Sequence, residues 1–162
     1  MAIKYNADEV FEMAIRIEEN GAAYYRKAAE LKKDKDGVDF LLELAEMEDS
    51  HKATFEDMKK SLSEEAKKET TYDPMGELEL YLEAMADSHP GEGAPSVTDK
   101  LTGDETLREI LNTAIGLEKE SILFYMGIKD MVPEGLGKDK IDTIISEERS
   151  HVATLAQKRR EI

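Results

Sequence analysis

The chain has 162 residues, a formal net charge of −15, 40% hydrophobic and 36% charged residues, and no cysteine. This length and apolar content suit one domain around one core. The negative charge disfavours association with nucleic acid or anionic membranes, which are polyanions, and favours cations as ligands. Lack of cysteine excludes disulfides, thiolate metal sites, iron–sulfur clusters and thiol nucleophiles.

The N-terminal Met1-Ala2-Ile3-Lys4-Tyr5-Asn6 leads into an acidic amphipathic segment with no long apolar run. Neither a signal peptide nor a membrane span is expected there, and the expected location is the cytoplasm. Asn6, followed three residues later by Glu9, has the form of a helix cap and predicts a first helix over about 6–33. Gly37 marks the Lys/Asp-rich turn after it, and a second helix is predicted over about 38–62. Over about 63–103 the chain becomes polar, with Asp73-Pro74, a short helix over about 76–88, and the run His89-Pro90-Gly91-Glu92-Gly93-Ala94-Pro95. This is a long crossover, and His89 within it reads as a surface residue. A third helix is predicted from about 104 to 131, ended by Pro133, Gly135 and Gly137, and a fourth over about 138–161. The fold class is all-α: two antiparallel helical hairpins forming a four-helix bundle, joined by the crossover, in a single domain over 1–162.

The two hairpins repeat one another. Ala14-Ile15 and Glu18 recur as Ala114-Ile115 and Glu118, and Tyr24-Tyr25 as Phe124-Tyr125. Glu48-Asp49-Ser50-His51-Lys52-Ala53-Thr54 recurs as Glu148-Arg149-Ser150-His151-Val152-Ala153-Thr154, so the offset is one hundred residues throughout. A match held across both members of each hairpin points to duplication of a two-helix unit.

Steps of three and four residues follow one helix face. The first helix then presents Phe11, Ala14, Glu18, Gly21, Tyr25 and Ala28, and the second Leu41, Leu44, Glu48, His51, Phe55 and Met58. The third presents Leu111, Ala114, Glu118, Ser121, Tyr125 and Ile128, and the fourth Ile141, Ile144, Glu148, His151 and Leu155. Each seam carries a carboxylate at its middle, and the second and fourth add a histidine one turn later. Counted outward from the hairpin turns, Glu18 reaches the height of Glu48 and His51, and Glu118 that of Glu148 and His151. Four buried carboxylates without partners would be costly and would protonate. Two divalent cations would balance their four charges, with neutral imidazole completing the ligand set. Oxygen and nitrogen donors without sulfur suit iron or manganese, with zinc also admissible.

One Glu from each of two helices plus Glu-x-x-His from each of the other two resembles the ferritin-like di-iron carboxylate proteins. Within that group the chain is similar to the rubrerythrin-related proteins, through the segments Ala14–Glu18–Tyr25 and Ala114–Glu118–Tyr125 and their Glu-x-x-His partners. The resemblance covers the four main helices and not the crossover. It implies two iron ions held by Glu18, Glu48, His51, Glu118, Glu148 and His151, with bridging carboxylates among Glu48, Glu118 and Glu148. It also implies that the hydroxyls of Tyr25 and Tyr125 hold carboxylates in place, a role compatible with both rings being core aromatics. The implied activity is reduction of hydrogen peroxide or dioxygen by a homodimer. Lacking the cysteine-ligated rubredoxin domain of rubrerythrins, the chain would take electrons from an external donor protein. The extra glutamate of rubrerythrins, three residues after the third-helix ligand, is replaced by Ser121, and Glu120 lies on another face. That departure keeps ferroxidase-type iron handling open beside peroxide reduction, and a structural bundle without metal is the third reading. Glu19, Glu46, Glu120 and Glu147 lie off the seams and are expected to be exposed. Met47, Met58, Met75, Met85, Met126 and Met131 are expected to pack in the bundle and crossover.

Overall fold

A computed structural model of the chain describes residues 6–64, 66–67, 75–87, 97–132, 135 and 137–162. Among these residues it forms five α-helices and no strand: α1 (Ala7–Leu31), α2 (Lys35–Lys60), α3 (Glu77–Asp87), α4 (Leu107–Ile128) and α5 (Lys138–Glu161). A 3₁₀ turn, Lys129–Met131, extends α4. Three residues separate α1 from α2, which forces them antiparallel, and the two pack along their length as α4 and α5 do. Contacts of α1 with α4 and of α2 with α5 close the bundle, and α3 lies against α4.

Local chemistry starts the four main helices. The Asn6 side chain accepts from the Glu9 backbone N–H while the Glu9 carboxylate accepts from the Asn6 N–H, a reciprocal capping box. Thr106 and Glu109 form a second one at α4. Asp34 caps α2 by accepting from Gly37 N–H at 2.9 Å. Before α5 the chain turns through Gly137 at φ 110°, a left-handed conformation that a side chain would strain.

These caps explain where the predicted bounds move. α2 begins at Lys35, and Gly37, read from sequence as marking the turn, is inside its first turn because Asp34 supplies the cap. Thr106 delays the start of the third main helix from about 104 to Leu107, and its end tightens into the 3₁₀ turn after Ile128. α1 stops at Leu31, α2 at Lys60, and the short helix spans Glu77–Asp87. Asp73-Pro74 and the run from His89 to Pro95, His89 included, lie outside the described residues.

All residues of the four seams are buried except Gly21, which is half-buried. They build two apolar clusters: Phe11, Phe55, Tyr125 and Ile141 belong to one, Tyr25, Leu41, Leu111 and Leu155 to the other. In every main helix the carboxylate lies between the residues assigned to these two clusters. The bundle thus has a polar layer sandwiched between two apolar ones, where fully burying a side chain such as Phe11 or Leu41 contributes roughly 1.5–3 kcal/mol. α3 adds Leu82 to the first cluster, and its Tyr81 hydroxyl donates to the Leu123 carbonyl. Of the methionines, Met58 and Met131 are buried and Met85 is partly so, whereas Met47, Met75 and Met126 are exposed, contrary to the packing expected of them. Met47 and Met126 each stand beside a seam residue, Glu48 and Tyr125, rather than on the seam, and so face outward. Among the described residues no helix is long and apolar enough to cross a membrane.

Candidate metal centre

The polar layer brings Glu18 of α1, Glu48 and His51 of α2, Glu118 of α4, and Glu148 and His151 of α5 together, each at most 3% exposed. They fall into two groups whose ligand atoms lie within 4.8 Å of one another: Glu18, Glu48, His51 and Glu148, and Glu48, Glu118, Glu148 and His151. Glu48 and Glu148 are common to both groups, while Glu18 and Glu118 each belong to one. Of the three carboxylates that the resemblance offers as bridging, Glu48 and Glu148 fall in both groups and Glu118 in one. Each histidine turns Nδ1 inward. His51 Nδ1 lies 3.0 Å from Glu148 Oε1 and 3.5 Å from Glu18 Oε2. His151 Nδ1 lies 2.8 Å from Glu148 Oε2, 3.4 Å from Glu48 Oε1 and 3.6 Å from Glu118 Oε1. The two imidazole rings stack with centroids 5.6 Å apart.

Tyrosines tie the hairpins together reciprocally. Tyr25 of α1 donates its hydroxyl to Glu118 Oε1 of α4, and Tyr125 of α4 donates to Glu18 Oε1 of α1. Tyr125 thereby fixes Glu18 Oε1 and leaves Oε2 toward His51 Nδ1, whereas Glu118 Oε1 both accepts from Tyr25 and faces His151 Nδ1. Burial, followed by the charge of the neighbouring glutamates, holds both phenols well above their ordinary range, so they remain donors.

The electrostatics are those of crowded charge. Burial, with the Glu48 and Glu148 charges adding to it, pushes Glu18 and Glu118 well above the usual carboxylate range despite their histidine neighbours. Burial also raises Glu148, but the close imidazoles of His151 and His51 outweigh it and hold this carboxylate at about 2. For His51 burial acts downward, and the hydrogen bond to Glu148 with the nearby Glu18 carboxylate overcomes it, raising the imidazole to about 11. His151 rises to about 12 against the same burial, through Glu118, Glu148 and Glu48. Protons thus play the balancing role in this layer.

The geometry leaves that balance incomplete. Glu18 Oε2, Glu48 Oε1, Glu148 Oε2 and both nitrogens of His151 are buried with no hydrogen-bond partner among the described residues. His151 Nδ1 and Glu148 Oε2 are close, but misaligned for a hydrogen bond. Buried orphan acceptors cost about 1–3 kcal/mol each, more when charged. Lewis-acidic cations in the two groups would take up Glu18 Oε2, Glu48 Oε1, Glu148 Oε2 and His151 Nδ1 together, so the donor set fits a pair of metal ions.

Small residues clear space around the layer. A Cβ on Gly21 would stand 2.8 Å from Glu48 Oε2, so the backbone of α1 must approach bare. Gly21 and Ser121, one hundred residues apart, line a cavity of about 20 Å³ with Tyr25, Glu48 and Glu118. Ser121 Oγ donates to the Leu117 carbonyl, and the cavity has room for about one water-sized molecule and none for a glutamate side chain.

Of the four outer glutamates expected to be exposed, Glu19, Glu46 and Glu147 are, while Glu120 is half-buried, and burial raises its carboxyl. Glu147 does more than face solvent: its Oε2 lies 2.7 Å from His51 Nε2. Its place off the seam predicts exposure alone. The available signal was its place directly before Glu148, on the edge of α5 beside α2.

No protein-family model matches the chain, and none of the curated proteins compared with it matches in sequence. Among solved structures the chain is similar to a candidate ferritin-like diiron-carboxylate protein of Thermotoga maritima. The two share 24% sequence identity and superpose with a TM-score of 0.72 over 98% of this chain and 97% of that one. With a four-helix bundle, a long crossover between its hairpins and a buried carboxylate–histidine layer at its centre, the chain has the ferritin-like fold.

Proposed function

We propose that the chain is a dinuclear metal protein, with iron as its resident metal, that reduces hydrogen peroxide or dioxygen with electrons from a separate donor protein. The observation that carries this reading is the pair of four-residue groups sharing Glu48 and Glu148, in which Glu18 Oε2, Glu48 Oε1, Glu148 Oε2 and His151 Nδ1 have no hydrogen-bond partner among the described residues. Glu18, Glu48, His51 and Glu148 would hold one ion, and Glu48, Glu118, Glu148 and His151 the other. Manganese or zinc satisfies the same donors. Bound as a ferrous pair, the metals would supply the two electrons that convert hydrogen peroxide and two protons to two molecules of water, ending as a ferric pair. The chain's own contribution is positional. Tyr25 and Tyr125 restrain Glu118 and Glu18, the flanking apolar clusters exclude bulk water, and the Gly21–Ser121 cavity admits a molecule of about water's size beside Glu48 and Glu118. The external donor returns two electrons per cycle. We further propose that the chain works as a cytoplasmic homodimer, with neither nucleic acid nor a membrane as partner.

A second reading, ferroxidase-type iron handling on the same fold, is favoured by Ser121 at the position where rubrerythrins carry an extra glutamate. Anaerobic mixing of the ferrous-loaded protein with peroxide separates these readings. One peroxide consumed per two irons oxidised, followed by sustained turnover when reductant is supplied, supports peroxide reduction. Rapid oxidation by dioxygen with release of ferric ion and no turnover supports iron handling instead. A chain that takes up no metal is a structural bundle.

A further inference from the structure

The one-hundred-residue repeat that maps His51 onto His151 and Glu48 onto Glu148 breaks directly before each Glu-x-x-His. It maps Glu147 onto Met47. The difference has a structural counterpart. His51 has Nδ1 toward the carboxylates and Nε2 held at 2.7 Å by Glu147 Oε2, so both ring nitrogens are engaged. His151 has the same inward Nδ1, but its Nε2 is buried without a partner among the described residues. The thioether at Met47 is too weak an acceptor to replace a carboxylate.

From this asymmetry we infer that Glu147 is a positioning residue for His51 and makes the two metal positions unequal, the His51 position filling first and more tightly. The inference rests on the metal-centre reading above. A carboxylate accepting from Nε2–H fixes the ring's tautomer, leaves Nδ1 free for the metal, aims the ring and raises its basicity. Removing such a partner typically lowers metal affinity about 10–100-fold. The His151 position lacks the device and binds more weakly by a similar factor. Glu147 acts from the rim: its side chain is 49% exposed and lines an open cavity of about 330 Å³ with Thr54, Asp57, Lys140 and Thr143. Met47 is 41% exposed. Substitution at either position therefore leaves the core intact.

The test is an anaerobic titration of the full chain with cobalt(II) alone, followed by its ligand-field absorption and by proton NMR, for the wild type, Glu147→Ala, Glu147→Gln and Met47→Glu. The wild type is expected to bind in two resolved steps at least about tenfold apart. At one equivalent it should show one hyperfine-shifted, slowly exchanging imidazole N–H, the Nε2–H of His51. Glu147→Ala should weaken the first step about 10–100-fold and lose that resonance to exchange. Glu147→Gln, which keeps an acceptor oxygen, should restore the resonance and part of the affinity. Met47→Glu should tighten the second step. Two wild-type steps of equal affinity, or unchanged constants and an unchanged N–H signal in Glu147→Ala, would overturn the inference while leaving the metal centre standing. Failure of the wild type to bind cobalt(II) would overturn the metal centre itself.

Discussion

Replacing Glu118 and Glu148 separately by alanine should give different metal stoichiometries, because Glu118 belongs to one ligand group and Glu148 to both. Four-ligand protein sites bind divalent zinc with apparent free energies of about 10–16 kcal/mol, or roughly 2.5–4 kcal/mol per ligand. Loss of one ligand then weakens a site by about a hundredfold or more. Glu118→Ala should leave the His51 position intact and empty the His151 position at working concentrations, so that one tight equivalent remains. Glu148→Ala should weaken both. Thermal unfolding provides a second reading. Metal at one hundred times its Kd stabilises the fold by about 2.7 kcal/mol per site, and after a hundredfold loss of affinity the same concentration contributes only about 0.4 kcal/mol. Metal-free Glu118→Ala should change little in comparison, since leaving the Tyr25 hydroxyl without its acceptor costs about 1–3 kcal/mol while a costly buried carboxyl is removed. Anaerobic titration with manganese(II), with bound metal counted per chain, measures the outcome. Two tight equivalents surviving in Glu118→Ala, or one surviving in Glu148→Ala, would refute the shared-ligand assignment.

Metal uptake should release protons and strengthen as pH rises. In the metal-free protein His51 and His151 sit at about 11 and 12, and Glu18 and Glu118 are raised well above the usual range. Both histidines therefore carry protons near neutrality that a metal must displace. Calorimetry in buffers of different ionisation enthalpy counts those protons, and an affinity independent of pH between about 6 and 8 would contradict the charge balance. For the metal-free fold the raised histidines stabilise fully below 6.5 and lose that contribution as pH rises through 11 and 12. Glu148, held at about 2, stabilises above 4.5 and loses its contribution as pH falls through 2. Gly127→Ala tests the docking of α3, because a Cβ there would stand 2.3 Å from the Tyr81 ring. Displacing that ring gives up its hydrogen bond to Leu123 and part of its burial, against about 1 kcal/mol of helix propensity gained, for a net loss of about 1–2 kcal/mol by denaturant unfolding. Gly21→Ala should separate stability from binding. Helix propensity favours alanine by about 1 kcal/mol, so the metal-free midpoint should not fall, while the crowding of Glu48 weakens metal affinity about tenfold.

The helices and the six central side chains are legible in the sequence because one physical constraint makes both visible. A core-facing stripe must be apolar, so a carboxylate on it at matching depth in four helices is a sharp signal. The periodicity does not encode what depends on the cap. Asp34 and Thr106 set the starts of α2 and α4, and Gly37, a turn signal in isolation, is accommodated inside a helix once Asp34 accepts its N–H. Which carboxylates are shared also escapes the sequence. Each seam carries one central carboxylate, and only in the folded chain does Glu148 come to lie between both histidines, 3.0 Å from His51 Nδ1 and 2.8 Å from His151 Nδ1. The reciprocal reach of Tyr25 and Tyr125 depends on the crossing of α1 over α4, which the stripe does not specify. Glu147 escaped for a related reason: a residue one step off the seam is exposed, yet a long side chain can still reach the back of a ligand on the neighbouring helix.

The central claim, that the polar layer is a two-metal centre, is tested most directly by counting metal ions per chain after anaerobic reconstitution of the wild-type protein with ferrous ion and removal of the excess. The expected result is two irons per chain, lost together with their contribution to thermal stability when a chelator is added. A chain that emerges without bound iron, and with the same unfolding temperature with and without metal, would contradict it.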